Sequence, residues 1–165
     1  MREFFQQTII KQILRYLLFT FLALVTQNML FTQVRIGGIC PMILPAAVVA
    51  IGMFEGMSFG VLFGLVIGIF ADMAYVESTV LFTILFPAIG FFSAFLSDFY
   101  INKRFTAFMI ISLAASIVTA LLQMFRTLLG DVWTIRMLST AFYQVVVSIP
   151  FSALAYPLPK MWAGR

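Results

Sequence analysis

Along most of the chain, apolar residues run in blocks long enough for helices that cross a bilayer, and polar residues gather in the short gaps between them. A bilayer core of ~30 Å needs about 20 mostly apolar helical residues. Divided at its charges, Gly/Pro positions and polar clusters, the sequence predicts six spans: 13–32, 39–54, 57–76, 79–97, 105–129 and 137–157. The second is short and opens on Pro41 and Pro45, which remove two backbone donors and bend or delay its start. Pro87 with Gly90 predicts a kink in the fourth span and Pro150 one in the sixth, which Pro157 and Pro159 are expected to end. Short connections make successive helices antiparallel neighbours, so residues 1–165 read as one membrane domain. The N-terminal MREFFQQTIIKQILRYLLF has no small-x-small cleavage site after it and reads as a retained first helix.

Composition points the same way. The chain is 63% hydrophobic and 10% charged, with 20 phenylalanines, against roughly 45–50% apolar and about 25% charged for a soluble domain. The fold class expected is an all-α integral membrane bundle. Six spans put both termini on one side. That side carries Arg2, Lys11, Arg15, Lys103, Arg104, Lys160 and Arg165, and the other carries Arg35, Arg126 and Arg136. Lysine and arginine favour the cytoplasm, so both ends are predicted there. The net charge of +4 is then topology and lipid contact, with no nucleic-acid partner implied. The loop from Asp98 to Lys103 and Arg104 is a cytoplasmic charge cluster, either a headgroup contact or a docking point.

The third span holds the most ordered pattern. In GMSFGVLFGLVIGIFAD, glycines at 56, 60, 64 and 68 are followed at the same interval by Asp72. Residues four apart share a helix face. Gly56, Gly60, Gly64 and Gly68 therefore form a groove where another backbone, of this chain or of a partner, packs closely. Asp72 is too costly to face lipid and reads as a polar anchor at the outer end of the helix or a partner contact, with Arg126 as a candidate counter-charge.

Candidate chemistry is sparse. The chain has no histidine and one cysteine, Cys40. Glu55, Asp72, Glu77, Asp98 and Asp131 lie in separate segments, and no nucleotide loop or metal-ligand spacing is seen. No enzyme, metal or cofactor is expected. A second polar group, Gln27, Asn28, Gln123, Arg126 and Gln144, falls in the outer half of the predicted bundle, where it lines a solute pocket or joins helices by hydrogen bonds.

The run FGVLFGLVIGIFAD (Phe59–Asp72), the polar break that follows, the long span with Gly90 and the D-x-x-x-x-K-R turn resemble the rod shape-determining protein MreD family. The resemblance implies a six-helix, non-enzymatic scaffold of the bacterial elongation machinery, lying in the bacterial plasma (inner) membrane. Such a scaffold binds MreC, a single-span protein, and is linked through it to MreB, RodA and a class B penicillin-binding protein in side-wall peptidoglycan synthesis. The same family is similar in fold to the vitamin-binding S subunits of energy-coupling-factor transporters, which is the alternative reading. Those subunits tend to carry an A-x-x-x-A docking face on the first helix. Here the first helix has only Ala23, and the spacing occurs instead at Ala46 and Ala50 in the second.

Overall fold

The computed structural model describes residues 2–31, 41–74, 80–99, 104–128 and 135–163, with the side chains of 2–9, 30–31, 99, 124–128, 135–138 and 163 excluded. These residues are helical almost throughout, with no strand among them. Helix α1 spans Arg2–Val25 and continues as a π-helical turn over Thr26–Phe31. It is followed by α2 (Leu44–Glu55), α3 (Met57–Ala74), α4 (Leu81–Phe99), α5 (Phe105–Leu128) and α6 (Ile135–Ser152). A 3₁₀ turn over Ala153–Ala155 leads into a short α7 (Pro157–Ala163).

Among the described residues, four helical stretches are long and apolar enough to cross a membrane: Met57–Ala74, Leu81–Asp98, Phe105–Gln123 and Ser139–Trp162. The first and second predicted spans differ from expectation. α1 begins well before Ile13, and its tail is π-helical rather than α-helical. α2 starts at Leu44, because Pro41 lacks a donor and Pro45 sits in the first turn, where its ring is tolerated. At 12 residues, it is about 18 Å long, so the helix by itself does not reach across a ~30 Å core.

That short helix is the centre of the molecule. Every residue from Pro41 to Phe54 is buried, and α2 touches α1, α3, α4, α5 and α7. The outer surface is apolar instead: Leu14, Phe21, Leu62, Ile84, Phe92 and Phe142 are all more than half exposed. Such a surface needs lipid or partner helices to cover it.

Pro87 and Pro150 lie inside helices that continue past them. Pro157 opens α7 rather than ending a span, a position where its fixed φ suits the first helical turn. α7 brings Trp162 edge-on to Tyr16 at 5.6 Å and to Phe19 at 6.4 Å. Around the C-terminal end of α2, Tyr16 also contacts Phe59 and Phe63. Tyr156 meets Phe54, Phe105 and Phe108 nearby. This end of the bundle is closed by rings.

Candidate functional site

The glycine run packs inward, against α4. A Cβ on Gly60 would lie 2.8 Å from the Gly90 carbonyl oxygen, and one on Gly64 would lie 2.7 Å from that of Phe86. One on Gly68 would meet the Phe82 carbonyl oxygen more closely still. The partners 90, 86 and 82 descend by four as 60, 64 and 68 ascend, which is the register of two antiparallel helices in backbone contact. Gly52 of α2 joins at one end: a Cβ on Gly60 would lie 2.9 Å from the Gly52 Cα, and one on Gly52 would lie 2.5 Å from the Gly90 carbonyl oxygen. Gly52, Gly60 and Gly90 are therefore the point where three helices converge.

Gly56 lies off this seam. It is the residue between α2 and α3, with φ +90°, and a Cβ there would meet nothing within 4 Å. Its role is to reverse the chain in a backbone region that residues with a Cβ avoid.

Asp72, one step beyond Gly68, reaches across to the start of α4. Its Oδ1 accepts the Phe82 N–H at 3.1 Å, and its Oδ2 accepts the Thr83 N–H at 2.8 Å and the Thr83 hydroxyl at 2.6 Å. Phe82 and Thr83 are the second and third residues of α4, whose donors have no partner within their own helix. The residue before α4 is Val80, whose side chain carries no capping oxygen. The carboxylate thus supplies an N-cap from a neighbouring helix and meets the positive end of the α4 dipole.

The polar group expected in the outer half separates into distinct roles. Gln27 is buried; its Nε2 donates to the Pro41 carbonyl at 3.1 Å and its Oε1 accepts the Ile43 N–H at 2.8 Å. Ser148 Oγ accepts the Met42 N–H at 2.8 Å and donates to the Gln144 carbonyl at 2.6 Å. Gln123 Nε2 lies 3.7 Å from the Met42 sulfur. Gln27, Gln123 and Ser148, from three different helices, thereby serve the N-terminal end of α2. Asn28, next in sequence to Gln27, is exposed on the outside of the bundle, and Gln144 is half-buried. The side chain of Arg126 lies outside the described residues, and so does a pairing with Asp72.

The opposite end of α2 has a clamp that sequence reasoning did not single out. Glu55 accepts the Tyr16 hydroxyl at 2.7 Å and the Gln12 amide at 3.0 Å. α1 therefore grips α2 at both ends, through Gln12 and Tyr16 at one and Gln27 at the other. A signal was present: Glu55 directly follows a long apolar run, and Gln12 and Tyr16 share a helix face. Of the charge cluster expected on the cytoplasmic side, Asp98 and Arg104 are exposed, and Lys103 lies outside the described residues.

Chemically, the seam and its clamps position backbones. Carboxylates and amides are directed at helix ends, where unpaired N–H and C=O groups are costly in an apolar interior. No family model, no curated protein and no solved structure matches this chain.

Proposed function

We propose that this chain is a six-span, non-enzymatic scaffold of the bacterial plasma membrane, with both termini cytoplasmic. In this reading it belongs with the MreD-like proteins it resembles and holds an MreC-like single-span protein, and through it MreB, RodA and a class B penicillin-binding protein. The observation that carries the reading is the fate of the Phe59–Asp72 run. Its glycines bind α3 to α4 and its aspartate caps α4, giving a rigid two-helix slab. Partners are then met by the slab's other faces or by the apolar groove between α5 and α6, lined by Leu113, Ile117, Leu121, Phe142 and Val146. In this scaffold Gly60, Gly64 and Gly68 are internal structure rather than the partner's contact.

A second reading is favoured by one feature. The N-terminus of a short buried helix, ringed by Gln27, Gln123 and Ser148, is the kind of place where membrane carriers hold a solute. In that reading the chain is an S subunit of an energy-coupling-factor transporter. Against it, Ala46 and Ala50 are fully buried and unavailable for docking, while the exposed face of α1 carries large side chains such as Leu14, Leu17, Leu18 and Phe21.

The test is affinity purification from native membranes in mild detergent, with the co-purifying proteins identified. An MreC-like single-span protein is the expected result. Recovery of paired ATPases with a membrane coupling subunit would overturn the scaffold reading in favour of the carrier.

A further inference from the structure

The N-termini of the helices are not served alike. α4 receives Asp72, and α2 receives Gln27 and Ser148. No described side chain does the same for α5. Its first bond runs from the Phe108 N–H to the Arg104 carbonyl at 3.1 Å, so the N–H groups of Phe105, Thr106 and Ala107 have no acceptor in their own helix. Arg104 stands at the cap position and has no side-chain oxygen to offer. It adds a positive charge to the end where the helix dipole is already positive.

A second cation is held beside this end. The Tyr156 ring lies 5.0 Å from that of Phe105, the first residue of α5. The Lys160 ammonium stands over the same Tyr156 ring, 5.0 Å from its centre. Arg104 and Lys160 are both exposed, and neither has a carboxylate partner among the described residues. Tyr156 is only 8% exposed. Its hydroxyl bonds to no described residue, yet its oxygen is not sealed inside the bundle. That hydroxyl is close enough to the ammonium over its ring for both to meet one small anion. The corner between α5 and α7 therefore gathers two side-chain cations, a helix N-terminus and an unpaired phenol, with no negative charge among them. Like charges collected without a counter-ion repel one another.

We propose that this corner holds the phosphate of an anionic phospholipid. Phosphate oxygens accept from the N–H groups of a helix N-terminus, and from guanidinium, ammonium and hydroxyl donors at the same time. Arg104, Lys160 and the Tyr156 hydroxyl are the side-chain donors, and the opening N–H groups of α5 complete the set. The source of the phosphate is a lipid because the corner is flanked by exposed Phe105 and Met161. Acyl chains descending from the headgroup cover those side chains, which a free phosphate would leave in contact with water. This inference goes beyond the scaffold reading; it rests on the chain's lying in a membrane and not on any wall-synthesis partner.

The experiment is native mass spectrometry of the full-length chain in detergent, titrated with phosphatidylglycerol or with phosphatidylcholine. A single phosphatidylglycerol is expected to stay bound under conditions that strip phosphatidylcholine. Arg104→Gln and Lys160→Gln should each weaken its retention by about fivefold or more, as the loss of a hydrogen bond to a charged group does. Lys11→Gln, which removes an exposed cation of α1, should leave retention unchanged. Tyr156→Phe keeps the ring contacts and removes only the hydroxyl, so it reads the corner even where a charge variant is unstable; a loss of about threefold with unchanged thermal unfolding is expected. Equal retention of the two lipids would overturn the proposal. So would an equal loss in Lys11→Gln, which would mean attraction to the whole basic end, or unchanged retention in the corner variants. Displacement of the lipid by inorganic phosphate at matched concentration would make the corner a site for the free anion instead. Because no step uses an MreC-like protein, failure here leaves the scaffold reading standing.

Discussion

Asp72 holds Thr83 twice, accepting its N–H at 2.8 Å and its hydroxyl at 2.6 Å. The first residue stands at the end of α3 and the second in the opening turn of α4. A carboxylate at the C-terminus of its own helix is poorly placed with respect to that helix's dipole. Its partner across the turn reverses the balance, since α4 presents positive N–H groups and no capping side chain of its own.

Asp72→Ala is expected to lower stability by ~1–2 kcal/mol, the usual cost of losing an N-cap. Thr83→Val, which removes only the hydroxyl bond, should cost less. Thermal unfolding of both variants in the same detergent checks the order. An Asp72→Ala protein that melts like the parent would mean that the cap contributes nothing.

The glycines separate into two kinds, and substitution tells them apart. At Gly64 a Cβ would lie 2.7 Å from a backbone oxygen, so Gly64→Ala must push α3 and α4 apart, costing ~1–3 kcal/mol as overpacking does. Gly64→Leu should prevent folding. At Gly56 the space is open and the strain lies in φ. Gly56→Ala and Gly56→Leu should therefore cost similar amounts, roughly 1–2 kcal/mol. Steeply size-dependent loss at 56 would place it on a packing surface after all.

The two classes explain what the sequence made legible. A spacing of four placed Gly60, Gly64 and Gly68 on one face correctly but carried no information on what faced them. The complementary row on α4, Phe82, Phe86 and Gly90, has the same spacing, yet two phenylalanines do not read as a close-contact surface because only their carbonyls take part. Spans three to six were legible because long apolar runs have one stable form in lipid. α2 was not, because Pro41 and Pro45 fix where it begins, and its complete burial depends on α1, α4, α5 and α7, far away in sequence, as well as on the adjacent α3. Gln27 and Asn28 looked equivalent, and only the three-dimensional positions of Pro41 and Ile43 separate them.

That separation is testable. Gln27→Leu leaves the Ile43 N–H and the Pro41 carbonyl without their partner in a buried setting, and should cost ~1–3 kcal/mol. Asn28→Leu, one residue away, should leave the folding of the single chain unchanged or slightly improved. Unfolding of the two variants side by side in detergent gives the comparison. Equal losses would mean that the inward–outward division at the π-helical turn is not real.

The clamp at the other end of α2 can be measured as a coupling. Tyr16 is fully buried among Phe59, Phe63 and Trp162, so Tyr16→Phe keeps its ring contacts and removes only the bond to Glu55. That deletion should cost ~1 kcal/mol or somewhat more, since the acceptor is a carboxylate. Glu55→Ala removes the acceptor for both Tyr16 and Gln12 and should cost more. If the clamp is a unit, the double variant will be less destabilised than the two single losses added together, by ~0.5 kcal/mol or more. Strict additivity would mean that α1 is held by its aromatic contacts alone. The distinction matters for the bundle as a whole: α1 meets α2 and α3 along a narrow face, and polar grips at its two ends are what fix its rotation. That rotation determines which side chains α1 presents outward.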